Sequence, residues 1–307
     1  MEALVSVIMN CFNGEKYLKE AIDSVLNQTY SNWEIILWDN QSTDNSEGIV
    51  KSFNDDRIKY FYSEEFTILG EARNRALSKA KGEFIAILDC DDLWYSTKLE
   101  KQIPCFSNPD VGIVTCDTYF FNESNIVKQK YKYSKPVTGN AFKYLLLNAL
   151  SFETVVIRKS ILNKLETNFD NRFTLINDFD FIARISYISE LAFVDEVLAK
   201  WRIHNSSLTW DKHSLFPLEK RQFIKKMNLE INEFSINYKH EVDLMFSRII
   251  FQEAIILWQK KSSKHKIIKK LKPLIFKNKR LFFLYITIHL VPVSVYNRLI
   301  SFKNGLI

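Results

Sequence analysis

A chain of 307 residues with 47% hydrophobic and 25% charged side chains is long enough for one large domain plus an appendage, and it excludes disorder and collagen-like repeats. Seven glycines and six prolines leave no room for a long Gly/Ser or Pro linker, and no internal repeat is visible. The formal charge of +6 is unevenly held: twelve Lys or Arg and no acidic residue follow Glu253, leaving 30 basic against 36 acidic residues in 1–253.

Leu4 to Met9, Trp33 to Trp38, Arg57 to Tyr62, Glu83 to Leu88 and Val111 to Cys116 are short runs of β-branched and aromatic residues, and they predict strands. Between the first four, helical spacing is carried by Tyr17, Leu18, Ala21, Ile22, Val25 and Leu26, then by Ser42 to Phe53, then by Glu71 to Lys79. This alternation predicts an α/β fold, with parallel βαβ units and helices on both faces of a sheet. Ligands in such sheets bind beyond the carboxyl ends of the strands, here Asn10 to Gly14, Asp39 to Asp44 and Asp89 to Asp92. Beyond about Leu215 the alternation gives way to helix, which sets an expected boundary between 1–214 and 215–307.

In that last region the basic run Lys260 to Arg280 is followed by an apolar block, Leu281 to Val291, which Pro292 ends. The block is shorter than the roughly 20 apolar residues of a spanning helix. Basic residues beside aromatic and aliphatic ones favour an anionic membrane surface over nucleic acid, with a helical cap folded back on the body as the alternative. The four cysteines, Cys11, Cys90, Cys105 and Cys116, form no C-x-x-C pair, so a reducing compartment and no structural zinc are expected. The opening residues lack the basic flank of a secretion signal, and the protein is expected in the cytoplasm, peripheral on the inner face of the plasma membrane.

The glycines stand singly at 14, 48, 70, 82, 112, 139 and 305, so neither G-x-G-x-x-G nor a Walker A loop can be written. Chemistry has to come from acidic clusters. Ile85-Ala-Ile-Leu-Asp-Cys-Asp-Asp92 ends a buried strand in three carboxylates, which either hold a hard divalent cation with substrate phosphates or leave Asp92 to cap a helix from Ser96. In Trp38 to Asp44, Asp39 suits a nucleobase or ribose, whereas Ser42 or Asp44 suits a helix cap. Asp178, opening an apolar helical face, is either a cap or a general base. His204 alone is as readily a surface or core residue as a metal ligand.

Together these pieces resemble the family 2 inverting glycosyltransferases of the GT-A fold, a Rossmann-like, mostly parallel sheet flanked by helices. The resemblance is carried by Val5 to Tyr30, Glu34 to Asp44, Ala72-Arg-Asn-Arg-Ala76, Gly82 to Asp92, Asn177-Asp178 and Trp201-Arg-Ile-His204, in the family's order. It implies a nucleotide-sugar site in about 1–118 and an acceptor side in about 119–214. Asn10 and Phe12 would line the base pocket, Asp39 would meet uracil or ribose, Arg73 would lie beside the nucleotide, and Asp89 would contact ribose. Asp91, with His204, would hold Mn²⁺ or Mg²⁺, and Asp178 matches the catalytic base. Trp94, Phe152 and Thr154 are expected on the acceptor wall.

The implied reaction is metal-dependent transfer of a hexosyl or N-acetylhexosaminyl group from a nucleotide-sugar, a UDP-sugar, to a saccharide or lipid-linked acceptor in surface polysaccharide synthesis. The chain departs from the family at Phe12, where Tyr is common, at Asp39-Asn40-Gln41-Ser42, where Asp-Asp-Gly-Ser is common, and at Asn177, where Glu is common. A nucleotidyltransferase is disfavoured because Asn10-Cys-Phe-Asn-Gly14 replaces a Gly-rich phosphate loop. A non-catalytic scaffold is disfavoured by the joint presence of Asp39, Asp89, Asp91, Asp178 and His204.

Overall fold

The computed structural model describes residues 2–123, 125–204, 212–272 and 279–296. It divides into two units, Met1–Ile203 and His204–Ile307. In the first, strands β1 (Val5–Cys11) and β2 (Trp33–Asp39) are buried nearly throughout, as apolar runs covered on both faces must be. Helices α1 (Leu18–Leu26), α2 (Ser46–Lys51) and α3 (Leu69–Lys79) connect them to β3 (Ile58–Tyr62) and β4 (Phe84–Ile87). Strand alternation sends Val5, Val7, Met9, Ile35 and Leu37 into a core with α1, and Ile8, Ile36, Ile85 and Ile87 into a second core with α3.

The sheet runs β3-β2-β1-β4 in parallel. It continues through β8 (Val156–Arg158), β6 (Val111–Phe121), β9 (Glu190–Arg202) and β5 (Leu93–Trp94), with β7 (Ile126–Gln129) a hairpin partner of β6. The intervening helices are α4 (Lys98–Gln102), α5 (Phe142–Leu147), α6 (Lys159–Leu162) and α7 (Asn177–Ile188). Because β1 lies between β2 and β4, the ends that carry Asn10, Asp39 and Asp89 are neighbours. β6 outruns its predicted end at Cys116, and β9, which was not predicted, pairs with it in parallel over most of its length.

The second unit is helical: α8 (Phe216–Glu230), α9 (Phe234–Asn237), α10 (Lys239–Gln259), α11 (Lys264–Leu271) and α12 (Lys279–Leu290). Its core joins Ala254 and Trp258 of α10, Ile267 and Leu271 of α11, and Leu281, Leu284 and Ile288 of α12. Glu253 is held by Arg221 at 3.0 Å and Lys270 at 2.8 Å. Among the described residues, no helix is long and apolar enough to cross a membrane. The division follows the end of β9, whereas the change of composition near Leu215 marks the start of the long helices.

Candidate active site

The loops after β1 and β2 are laced together. The Asn13 and Gly14 N–H groups donate to the hydroxyls of Ser42 and Ser46 at 2.8 and 3.0 Å, and the Asn13 amide oxygen accepts from the Thr43 N–H at 2.8 Å. Asp44 accepts from the Glu15 N–H at 2.9 Å and Glu15 from the Asn45 N–H at 2.9 Å. Neither Ser42 nor Asp44 takes the helix-cap position expected of one of them: that position is Asn45, which makes no side-chain cap bond, and Ser42 serves the Asn13 N–H instead. Helix α2 starts only at Ser46, whose N–H Asp44 accepts, because the preceding residues are spent on the neighbouring loop.

Asp39 is 1% exposed, and its two oxygens accept from the Ser42 N–H at 2.7 Å and the Tyr60 hydroxyl at 2.8 Å. Each carboxylate oxygen retains a second acceptor site. Asn10 Nδ2 is buried with no partner. Phe12, 52% exposed, meets the edge of Phe66, 59% exposed, with ring centres 5.0 Å apart. Phe66 was not singled out in the sequence. It is positioned by Asn40, which bonds both the Thr67 N–H and carbonyl, and by Gln41, which donates to the Glu64 carbonyl.

Beyond β4, half-buried Asp89 accepts from Arg73 Nη2 at 3.0 Å, and Arg73 Nη1 donates to Asn177 Oδ1 at 2.7 Å. Arg73 is 4% exposed and lies over the Phe152 ring, 4.7 Å from its centre. Arg202 holds the rest of the turn: its N–H donates to Asp92 at 2.8 Å, its Nε to the Asp91 carbonyl at 2.8 Å, and its Nη2 to Glu20 at 2.9 Å. Asp92 is thus not the helix cap that was one of its two readings, since α4 begins at Lys98 and Asp92 is committed to β9. Arg202 sits inside the Trp201 to His204 motif, yet its role depends on β9 pairing and was invisible in one dimension.

Burial pushes the Asp92 carboxyl well up, and the charges of Asp91, Glu153 and Asp89 add to it. The turn thus gathers the carboxylates of Asp89, Asp91 and Asp92, oxygen donors of the kind a hard divalent cation takes. Among the described residues no three His, Cys, Asp or Glu side chains group as a cage. A cation completed by substrate phosphates needs only one or two carboxylates.

Asp178 lies in the first turn of α7, half-buried, accepting from the Phe179 N–H at 2.7 Å. Burial pushes its carboxyl up, opposed by the positive charges of Arg73 and Lys130. It lines a small, open recess with Leu145, Asn148, Leu150, Phe152 and Ile182. Phe152 is thus a wall residue of this recess. Thr154 is not: it is fully buried, its hydroxyl bonded to Thr115 and the Ser151 carbonyl. Trp94 is also a core residue, 5% exposed, its indole N–H given to the Glu153 carbonyl at 2.8 Å. His204 follows β9 and opens the second unit, and residues 205–211 after it lie outside the described residues.

This placement of acidic residues at the ends of parallel strands agrees with the family comparison, in which the model of glycosyl transferase family 2 matches residues 6–166. The chain belongs to that family. A relative described as an uncharacterised glycosyltransferase, RT0329 of Rickettsia typhi, is 36% identical over 213 residues, 67% of this chain and 66% of that protein. Escherichia coli WfgD, a UDP-Glc:α-D-GlcNAc-diphosphoundecaprenol β-1,3-glucosyltransferase, is 33% identical over 213 residues, 68% of this chain and 81% of that protein. Among solved structures, residues 1–349 of S. aureus TarS in complex with UDP-GlcNAc superpose with a TM-score of 0.63 at 18% identity, covering 98% of this chain and 92% of that one. The fold of this family 2 glycosyltransferase is accordingly GT-A.

Proposed function

We propose that the chain transfers a hexosyl or N-acetylhexosaminyl group from a UDP-sugar to a hydroxyl of a saccharide or lipid-linked saccharide, with inversion, in cell-surface polysaccharide synthesis. The observation that carries this reading is the Arg73 bridge, which ties Asp89 on the donor side to Asn177, the neighbour of Asp178. Asp178 takes the acceptor proton as that oxygen attacks the anomeric carbon and the nucleoside diphosphate leaves from the opposite face. Its raised affinity for a proton suits a general base. Asn10, Phe12 and Asp39 receive the base and ribose, Asp89 also faces the ribose, and Arg73 keeps donor and base in register. Asp91 would hold Mn²⁺ or Mg²⁺, which when bound would supply positive charge to the departing diphosphate.

The acceptor assignment is supported by the WfgD likeness, since that enzyme's acceptor is a diphosphoundecaprenol-linked sugar. A seat for the second unit on an anionic membrane surface is supported by exposed Lys264, Lys266 and Lys269 on α11 and exposed Phe283 and Leu290 on α12.

The test is binding and hydrolysis across UDP-, GDP- and dTDP-sugars with Mn²⁺, using the full chain in detergent. One UDP-sugar should be preferred. Asp178→Asn should keep donor binding while turnover falls about 10²–10⁴-fold. Absence of any nucleotide binding would leave a non-catalytic scaffold as the better reading.

A further inference from the structure

Cys11 ends β1, and Cys90 lies three residues past the end of the adjacent strand β4. β1 and β4 pair in parallel with Val5 opposite Phe84 and Ile8 opposite Ile87, and the Leu88 N–H still reaches the Ile8 carbonyl at 3.1 Å. Carrying that register three residues further sets Cys90 opposite Cys11.

The side chains do meet. Both sulfurs press on the open side of Gly14, where an added Cβ would lie 2.8 Å from Cys11 Sγ and 3.1 Å from Cys90 Sγ, so the two lie within reach of one point. Both are free thiols. Cys11 is 2% exposed and also contacts the Ser46 hydroxyl at 3.5 Å, whereas Cys90, the middle residue of the Asp89–Asp91 turn, is partly open to solvent.

We propose that Cys11 and Cys90 form a dithiol modification site, which a small-molecule disulfide oxidises to an intramolecular Cys11–Cys90 bond that fixes the centre of the acidic turn to the end of β1. Cys90, the partly exposed member of the pair, attacks the reagent RSSR through its sulfur, releasing one RSH and forming a mixed disulfide on Cys90. Cys11 then displaces the second RSH. Two protein thiols lose two protons and two electrons, and RSSR is reduced to two RSH. Access orders the steps, since Cys90 meets the reagent and buried Cys11 meets only Cys90. Closure restrains the backbone between Asp89 and Asp91, so donor turnover falls in the oxidised form and returns on reduction. The cross-link itself is read without any assumption about the activity.

The full chain is incubated with excess oxidised glutathione, denatured, alkylated with N-ethylmaleimide, digested and mapped by mass spectrometry. Two of the four thiols should disappear, with the Cys11 and Cys90 peptides joined to each other, and dithiothreitol should restore all four. Cys90→Ser and Cys11→Ser should each abolish the cross-link, while Cys105→Ser should leave it intact. Four alkylated thiols after oxidation, a persistent glutathione adduct on Cys90 without the cross-link, or a bond to Cys105 or Cys116 would each overturn the proposal.

Discussion

Arg73 places a single buried positive charge between an acidic turn and the helix that carries Asp178. Where family members commonly have a carboxylate, this chain presents Asn177 to it, so Asp89 is the carboxylate that Arg73 directly pairs. The charge also acts on Asp178, whose carboxyl is raised by burial and lowered by Arg73 and Lys130. A general base works as the carboxylate, so activity is present above its pKa and lost as pH falls through it. The acid limb of kcat/KM should therefore stand above that of an exposed aspartate, and Arg73→Gln should move it to still higher pH; an unmoved limb would detach Asp178 from the rate. Phe66 allows a separate check on the donor pocket. Stacking of a base on an aromatic ring is worth about 1–3 kcal/mol, so Phe66→Ala should weaken UDP binding by calorimetry about tenfold, with Phe66→Tyr close to wild type. Equal affinities for all three would remove this ring from the base pocket.

At the scale of elements, β1, β2 and β4 were legible because a strand covered on both faces reads as a largely apolar run, and β3 because its β-branched and aromatic residues have strand length. β9 was not, since Asp195, Glu196 and Lys200 interrupt its apolar character and its pairing with β6 shifts register three times. The same blindness applied to the site. Asp39 ends β2, Asp89 follows β4 and Asp178 opens α7, element ends that a sequence pattern can mark, whereas the burial of Trp94 and Thr154 follows from tertiary packing that no local pattern announces. Glu153, beside them, is 2% exposed with Oε1 lacking a partner, and burial pushes its carboxyl up to about 7. The folded state thus binds this proton more tightly than the unfolded chain, and stability contributed by the protonated form is lost as pH rises from about 4.5 to 7. Glu153→Gln should raise Tm at pH 8, with a ceiling of about 3 kcal/mol, and change it little at pH 5. A loss of stability at pH 8 would show instead that the ionised carboxylate is held favourably by Lys130.

Across the whole molecule, acidic and basic residues are segregated along the chain, and the helical unit that holds the basic excess spends its apolar block in two ways. Leu281, Leu284 and Ile288 build its own core, as a folded-back helix would, while Phe283 at 65% and Leu290 at 76% exposure stay outside. Lys270 is occupied by Glu253, but Lys264, Lys266 and Lys269 project from α11 into solvent. A basic side chain near an anionic bilayer contributes about 1 kcal/mol, and the attraction decays over a Debye length of about 10 Å at 0.1 M salt. Replacing these three lysines by glutamine should therefore weaken flotation with phosphatidylglycerol vesicles by about 10²-fold. The wild-type chain should lose the same binding as salt rises and should not float with neutral vesicles. Because the three side chains are exposed, the substitutions should leave Tm and donor hydrolysis in detergent unchanged, which separates attachment from folding and from chemistry. Undiminished flotation of the triple variant would mean that the basic face of α11 is not what meets the lipid.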